Sequence, residues 1–252
     1  MPNVVSCSRR SSVAANLHGT LAVAGLVLAA AKLARPPDQL GGADVVVVPA
    51  FGDPPPSAAL AEAARALAEG WPVGIPTDTV YGLAADPFLP GATDRVFATK
   101  RRPRDVSLPV LVTGQDQACQ LATAVPEGAF ALMERFWPGP LTIVLPARPG
   151  LGADLGDDEL TVGLRCPAHP VALGVCEIAG PLATTSANLH GQPTLVTARE
   201  VAETFGDAVP VVLDAGRCAG RPSTVLDCTG QVPKLLREGR LPWEVVRAAL
   251  TG

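Results

Sequence analysis

The sequence predicts an α/β protein in which helices pack on a twisted, open, mixed sheet. With 252 residues, 48% of them hydrophobic, the chain is long enough to bury a full core. Short apolar segments typical of buried strands alternate irregularly with helical patterns, and this irregularity favours a mixed sheet over a purely parallel one. We expect residues 57–250 to form this domain.

The helices are predicted from their caps and apolar faces. Ser57 is a candidate cap, with Leu60 and Leu67 on one face and Gly70 at the end. Pro126 suits a first helical turn. Thr197 forms a capping box with the glutamate three residues later. The predicted helices are 57–70, 93–100, 126–136, 169–180, 197–206 and 242–250.

The strands are predicted from short apolar runs bounded by glycine, proline or charged residues. They are expected at 73–76, 108–112, 141–146, 161–165, 182–185, 209–214, 224–227 and 234–237.

The first 45 residues form a different kind of segment. Arg9 and Arg10 precede an apolar run at 21–31, and no acidic residue occurs before Asp38. This is the outline of a targeting segment, although the run is short for a membrane span. The alternatives are a helical extension without a targeting role, or a start codon upstream of the natural one. Proline and glycine at 35–42 and 52–56 predict linkers.

Composition excludes several classes of function. Charged residues make up 17% of the chain and the net charge is −4, so broad electrostatic binding of nucleic acid is not favoured. The six cysteines form no Cys-x-x-Cys pair and the three histidines are scattered, which disfavours a structural metal site. Cys119, Cys166 and Cys176 lie in apolar runs and are expected to be reduced core residues of a cytoplasmic protein.

The most informative stretch is PTDTVYGL at residues 76–83, which follows a predicted strand. Its hydroxyl and carboxylate groups could hold a small polar substrate, or they could simply stabilise a turn. The next helix ends in the cationic cluster KRRPR at residues 100–104. Such a cluster suits a triphosphate, because arginine binds phosphate oxygens in a bidentate manner. The alternative is a solvated helix end, where cations complement the helix dipole.

Taken in order, PTDTVYGL, the Lys-x-Arg at 100–102, WPGPLT at 137–142 and SAN at 186–188 resemble the YrdC-like proteins, the threonylcarbamoyl-AMP synthases. The resemblance implies a twisted open α/β sheet with a concave, positively charged cavity. It also implies an activity in which L-threonine, bicarbonate and ATP, with magnesium on the triphosphate, give threonylcarbamoyl-AMP and pyrophosphate. The product would supply the threonylcarbamoyl-transferase machinery that modifies tRNA.

The resemblance also implies two sets of contacts. The ATP set is Lys100, Arg102, Thr161, Ser186, Asn188, Thr194 and Arg237, and the threonine set is Thr79, Arg165, Thr184 and Ser223. Lys100 and Arg102 are the candidate catalytic residues, acting with Arg237 by positioning and charge stabilisation. No protein metal site is expected. The chain carries no Gly-x-x-x-x-Gly-Lys phosphate loop, so side chains and loop amides would hold ATP.

The chain departs from the family pattern at two positions after the Lys-x-Arg. Val106 stands where much of the family has Asn or Lys, and Leu111 stands where it has His. A lost histidine contact would weaken threonine binding without abolishing it. His169 and His190 are poor substitutes for the missing histidine, because His169 is expected to cap a helix and His190 to lie in a loop.

Two other functions fit the same fold. A non-catalytic module could accept tRNA or double-stranded RNA in the basic cavity by shape. The net charge and the single tyrosine, Tyr81, count against this alternative. A carbamoyl-transfer domain of the same fold is a third option, although the zinc-finger segments that normally accompany it are absent. No association with a membrane is expected.

Overall fold

The computed structural model describes residues 4–5 and 45–251. The helices are α1 (Ser57–Ala68), α2 (Ala92–Lys100), α3 (Gln115–Leu121), α4 (Glu127–Phe136), α5 (Pro170–Ala179), α6 (Ala198–Phe205) and α7 (Trp243–Thr251). The strands are β1 (Val4–Val5), β2 (Val46–Pro49), β3 (Val73–Ile75), β4 (Gly82–Ala85), β5 (Val110–Leu111), β6 (Val125–Pro126), β7 (Leu141–Pro146), β8 (Thr161–Arg165), β9 (Leu182–Ser186), β10 (Val211–Asp214), β11 (Thr224–Asp227) and β12 (Lys234–Arg237).

Ten strands of the described chain form one sheet in the order β12-β11-β7-β8-β5-β9-β4-β3-β10-β2. Parallel pairs such as β7 with β11 lie beside antiparallel pairs such as β7 with β8. The predicted mixed α/β sheet is confirmed. The edge strand β2 pairs in parallel with β10, so the sheet includes residues that precede Ser57.

The core lies on both faces of the sheet. On one face, α1 and α5 pack together over β3 and β10, with Leu67 and Val175 buried among them. On the other face, α2 and α4 cover the central strands. Leu83 and Ala84 are consecutive in β4 yet belong to opposite clusters, because successive strand residues point to opposite faces.

Helix ends follow the local sequence closely. The capping box between Thr197 and Glu200 is confirmed, and Glu200 Oε2 accepts from the Thr197 amide at 2.9 Å. The predicted histidine cap is also confirmed, since His169 Nδ1 accepts from the Val171 amide at 3.3 Å. The prediction for Ser57 was wrong: it is the first helical residue, Pro56 precedes it, and no side chain caps α1.

The structure changes one of the three cysteine predictions. Cys166 and Cys176 are free and buried, but Cys119 is disulfide-bonded, so the prediction of a reduced Cys119 was wrong.

The segment at 6–44, which carries the possible targeting signal, lies outside the described residues. None of the described helices is long and apolar enough to cross a membrane.

Candidate functional site

One pocket brings together most of the predicted side chains. It is built from β4, β5, β7, β8, β9 and β12 and from the segments that follow β3, connect α2 to β5 and precede β11. Three arginines line it: Arg102, Arg165 and Arg237. The other lining residues are Thr77, Thr79, Val80, Tyr81, Gly82, Pro109, Leu111, Thr142, Thr184, Thr185, Ser186, Pro222 and Ser223. No carboxylate is among the described residues that line it, so the pocket favours an anion.

Hydroxyl groups in the turn after β3 form a fixed hydrogen-bond chain. Thr77 Oγ1 donates to the Val80 carbonyl at 2.6 Å and lies 2.9 Å from Thr79 Oγ1. Because the single proton of Thr77 goes to that carbonyl, Thr79 donates to Thr77. Thr79 Oγ1 also accepts from Arg165 Nη1 at 3.0 Å. The remaining capacity of Thr79 is therefore that of an acceptor, which suits a ligand N–H or O–H group.

Arg165, at the end of β8, is 7% exposed and held on three sides. Nε donates to the Gly139 carbonyl at 3.1 Å, Nη1 to Thr79, and Nη2 to Asp78 Oδ1 at 2.5 Å. Burial lowers the pKa of Arg165, and the charge of Asp78 opposes that effect. A guanidinium has five N–H groups, so one remains on each terminal nitrogen. These two can donate to a carboxylate.

Ser223 is positioned from two directions at the far wall. Its Oγ lies 2.9 Å from Thr142 Oγ1, and Arg237 Nη2 donates to it at 3.2 Å. Arg237 also donates to the Ser223 carbonyl through Nε and Nη2. Ser223 and Thr142 are both buried, and their hydroxyls form a small polar surface beside Arg237.

Neither Arg102 nor Arg237 forms a salt bridge with a carboxylate in the described part of the chain, although the nearby charge of Asp105 acts to raise the pKa of Arg102. Arg102 donates to the carbonyls of Val106 and Ser107 at 2.7 and 2.9 Å. Desolvation and the charge of Arg237 lower the pKa of Arg102. Desolvation and the charge of Arg165 likewise lower the pKa of Arg237. Like charges repel, so an anion bound between them would stabilise all three arginines.

Lys100, at the end of α2, is placed behind the pocket. It is 1% exposed and does not line the pocket. Its ammonium donates to the Ser186 carbonyl at 2.5 Å and to the Asn188 carbonyl, and Asn188 Oδ1 lies 3.5 Å away. These contacts can occupy its three protons. Burial and the charge of Arg102 lower the pKa of Lys100 to about 8.

The loop after β9 is organised around Asn188. Ser186 Oγ donates to Asn188 Oδ1 at 2.5 Å, and Asn188 Nδ2 donates to the carbonyls of Leu189 and Gln192. Asn188 is thus committed to the loop, whereas Ser186 lines the pocket. In the neighbouring strand, a Cβ on Gly82 would lie 2.7 Å from Thr184 Cγ2, so only glycine allows Thr184 its place.

The remaining predicted residues lie elsewhere. Thr161 is at the opposite end of β8 from Arg165, and its hydroxyl donates to Asp158 Oδ2 at 2.5 Å. The four residue steps along the strand from Thr161 to Arg165 span about 13 Å. Thr194 is half-buried in the loop before α6 and does not line the pocket. Contacts from either residue to a nucleotide stay predictions.

Sequence reasoning assigned no role to several residues of the pocket wall. Thr142 and Thr185 line it beside predicted residues, and Leu111, the departure from the family pattern, forms part of its apolar surface. Tyr81 also lines it, but its hydroxyl donates to the Gly216 carbonyl at 3.0 Å. The signal that would have identified Thr142 is the antiparallel pairing of β7 with β8. Ile143 is the partner of Leu164 in that register, so Thr142 lies beside Arg165.

A protein-held metal has no evident site here. Within residues 4–5 and 45–251, no group of three histidine, cysteine, aspartate or glutamate side chains could hold a metal ion.

Comparison with known proteins gives the family. The Sua5/YciO/YrdC family model, described as "Telomere recombination", matches residues 65–239, more than half of the chain. A Mycobacterium tuberculosis relative is 40% identical over 195 residues, which cover 77% of this chain and 90% of the relative. A Pyrococcus abyssi protein named threonylcarbamoyl-AMP synthase is 40% identical over 190 residues, but these cover only 56% of its length.

A solved structure agrees with these matches. The crystal structure of P. abyssi Sua5 complexed with L-threonine superposes with a TM-score of 0.75 at 36% identity, covering 82% of this chain and 61% of that one. The arrangement of strands, the order of the motifs and the relatives point the same way: the chain belongs to the Sua5/YciO/YrdC family.

Proposed function

We propose that this protein is a threonylcarbamoyl-AMP synthase, a nucleotidyltransferase that uses L-threonine, bicarbonate and ATP. One observation carries the proposal most strongly: three arginines converge on a pocket without a lining carboxylate, beside the hydroxyls of Thr79 and Ser223. An amino acid and a polyphosphate both present anions, and each needs a cationic receptor. Relatives named for this activity support the assignment.

Threonine would lie on the Thr79, Arg165 and Ser223 side of the pocket. The two free N–H groups of Arg165 would hold its carboxylate, and the acceptor capacity of Thr79 would meet its amine or hydroxyl. Thr184 and Leu111 would pack on its methyl group, while Ser223 would complete the polar contacts.

ATP would place its phosphates between Arg102 and Arg237. Neither arginine forms a salt bridge with a carboxylate among the described residues, and the pKa of each is lowered by burial and by a neighbouring arginine, so the triphosphate would supply negative charge that the pocket lacks. Ser186 lines the pocket, and its carbonyl accepts a hydrogen bond from the ammonium of Lys100, which lies behind it. Magnesium fits as an ion carried by the phosphates, because no lining carboxylate could bind it, and it would neutralise part of the phosphate charge.

The proposed reaction has two stages. The threonine amine adds to bicarbonate to give a carbamate, with loss of water. A carbamate oxygen then attacks the α-phosphorus of ATP, the bond to the β-phosphate bridging oxygen breaks, and pyrophosphate leaves. The protein contributes by positioning the reactants and by stabilising charge on the phosphates. The product would serve the threonylcarbamoyladenosine modification of tRNA.

The test is pyrophosphate release from ATP, measured with threonine and bicarbonate present together and with each omitted in turn. We expect release only when both are present. Release that ignores threonine, or binding of RNA without any release, would contradict the proposal and favour the RNA-binding alternative.

A further inference from the structure

Asp78 lies between two threonines of the pocket, yet its carboxylate faces away from the pocket. Thr77 and Thr79 line the pocket and Asp78 does not. Its Oδ1 accepts from Arg165 Nη2 at 2.5 Å and from the Ala168 amide at 3.1 Å. The side chains of Asp78 and Arg165 are 10% and 8% exposed. This is a nearly buried ion pair directly behind the substrate wall.

The backbone of Asp78 is also fixed, since Arg240 donates to its carbonyl. The plane of the Arg165 guanidinium is held by Gly139 and by the consecutive residues Asp78 and Thr79, which belong to two separate segments. Of these contacts, only the one with Asp78 is to a carboxylate. In this contact both donor and acceptor are charged, and it is the shortest of the three, at 2.5 Å against 3.1 and 3.0 Å.

We propose that Asp78 is a positioning residue for substrate binding: its Oδ1 sets the orientation in which Arg165 presents two N–H groups to the amino-acid carboxylate. The inference rests on the proposed function. Asp78 touches neither substrate, so it acts only through Arg165. Its loss should weaken threonine binding and leave ATP binding unchanged.

The two carboxylate oxygens of Asp78 differ in a way that makes this testable. Oδ1 holds both hydrogen bonds, whereas Oδ2 is buried with no partner in the described structure. In Asp78→Asn, the amide oxygen can occupy the Oδ1 position and keep both bonds, while the amide nitrogen takes the place of Oδ2. That variant removes the charge and retains the orientation. Asp78→Ala removes both.

The experiment measures the dissociation constant for L-threonine by calorimetry, together with KM for threonine and ATP, on the full chain. We expect Asp78→Ala to weaken threonine binding about tenfold or more, as the loss of a charge-assisted hydrogen bond typically does. Asp78→Asn should stay within about threefold of the wild type, because its amide oxygen keeps both hydrogen bonds of Oδ1 and with them the orientation of Arg165. KM for ATP should be unchanged in both.

Asp154→Ala is the matched control. Asp154 also pairs with an arginine at 2.5 Å, Arg104, but outside the pocket. It should leave threonine affinity unchanged. Melting temperatures of all three variants separate unfolding from a local effect, and Asp78→Asn still tests the idea if Asp78→Ala does not fold.

Two results would overturn the inference. One is a parallel rise of KM for threonine and ATP in Asp78→Ala, which would mean a general loss of structure. The other is Asp78→Asn losing as much threonine affinity as Asp78→Ala, which would mean that charge rather than orientation matters. If the wild type itself does not bind threonine, the proposed function is wrong, and the inference about Asp78, which rests on it, fails for that reason.

Discussion

Lys100→Met is the variant that most directly tests how the cationic cluster supports catalysis. Methionine keeps the length of the side chain and removes the ammonium that holds the carbonyls of Ser186 and Asn188. We expect the loop that carries Ser186 to lose its position and the nearby phosphates to lose a positive charge. Because Lys100 acts through the loop, the expected loss is that of a misplaced group, about 100-fold in kcat.

Stability should change much less, because two effects oppose each other. The shift of the Lys100 pKa from 10.5 to about 8 means that burying the ammonium costs about 3 kcal/mol. Removing it relieves that cost but leaves two buried carbonyls without a donor, at about 1–3 kcal/mol each. The net change in the free energy of unfolding is therefore within about 3 kcal/mol, and the melting temperature should shift by about 10 °C at most.

Activity and stability should respond to pH with opposite signs. Activity that needs the Lys100 charge falls as pH rises through about 8. The unfolded lysine binds its proton more tightly than the folded one, so its contribution to the free energy of unfolding rises between about pH 8 and its ordinary pKa of 10.5. Lys100→Met should lose this contribution, so the difference in the free energy of unfolding between the wild type and the variant should change with pH in this window.

The assay is pyrophosphate release at saturating threonine and bicarbonate, with Arg101→Met as the control. Arg101 is the next residue, exposed, and carries the same charge. Its loss should cost under about 1 kcal/mol, or about fivefold. If Lys100→Met keeps full activity, Lys100 is not needed for the reaction. If both variants lose activity equally, the cluster is a diffuse basic patch, which favours RNA binding.

Three further predictions concern other parts of the molecule. Arg102→Ala should lose about 100-fold or more in ATP-dependent kcat/KM. Arg104→Ala should lose under fivefold, about 1 kcal/mol, because Arg104 pairs with carboxylates away from the pocket. Equal losses in the two variants would contradict this prediction. Removing residues 1–45 deletes β1, which pairs with β6, and should lower the melting temperature slightly while leaving activity intact, whereas removing 1–50 also deletes β2 from the ten-stranded sheet and should lower the melting temperature further; loss of activity in the first truncation would show that the segment supports the pocket. Serine should replace threonine poorly, by about 1–3 kcal/mol for the missing methyl; equal turnover in the pyrophosphate assay would refute the substrate.

The strand of the pocket that was hardest to predict is β4. β4 begins inside PTDTVYGL and contains glycine and alanine, so local propensity gives no strand signal. It forms because β3 and β9 pair with it on both sides. In contrast, the two-residue β5 lies within the strand predicted at 108–112 and pairs with β8 and β9. Pairing across the sheet is a non-local interaction, and single-chain patterns do not record it.

The sequence by itself determined the fold class, the helix caps at His169 and Thr197, and the residue types of the site. Capping boxes and apolar periodicity depend on neighbours within a few positions, and a short span of sequence contains them. Only the tertiary structure decided which functional groups are free to act. It brought Arg102, Arg165 and Arg237 to one pocket, turned Lys100 toward the loop carbonyls and placed Asp78 behind Arg165. A hydrogen-bond donor can serve a ligand only if the folded chain has not already occupied it, and that depends on contacts between residues far apart in the sequence.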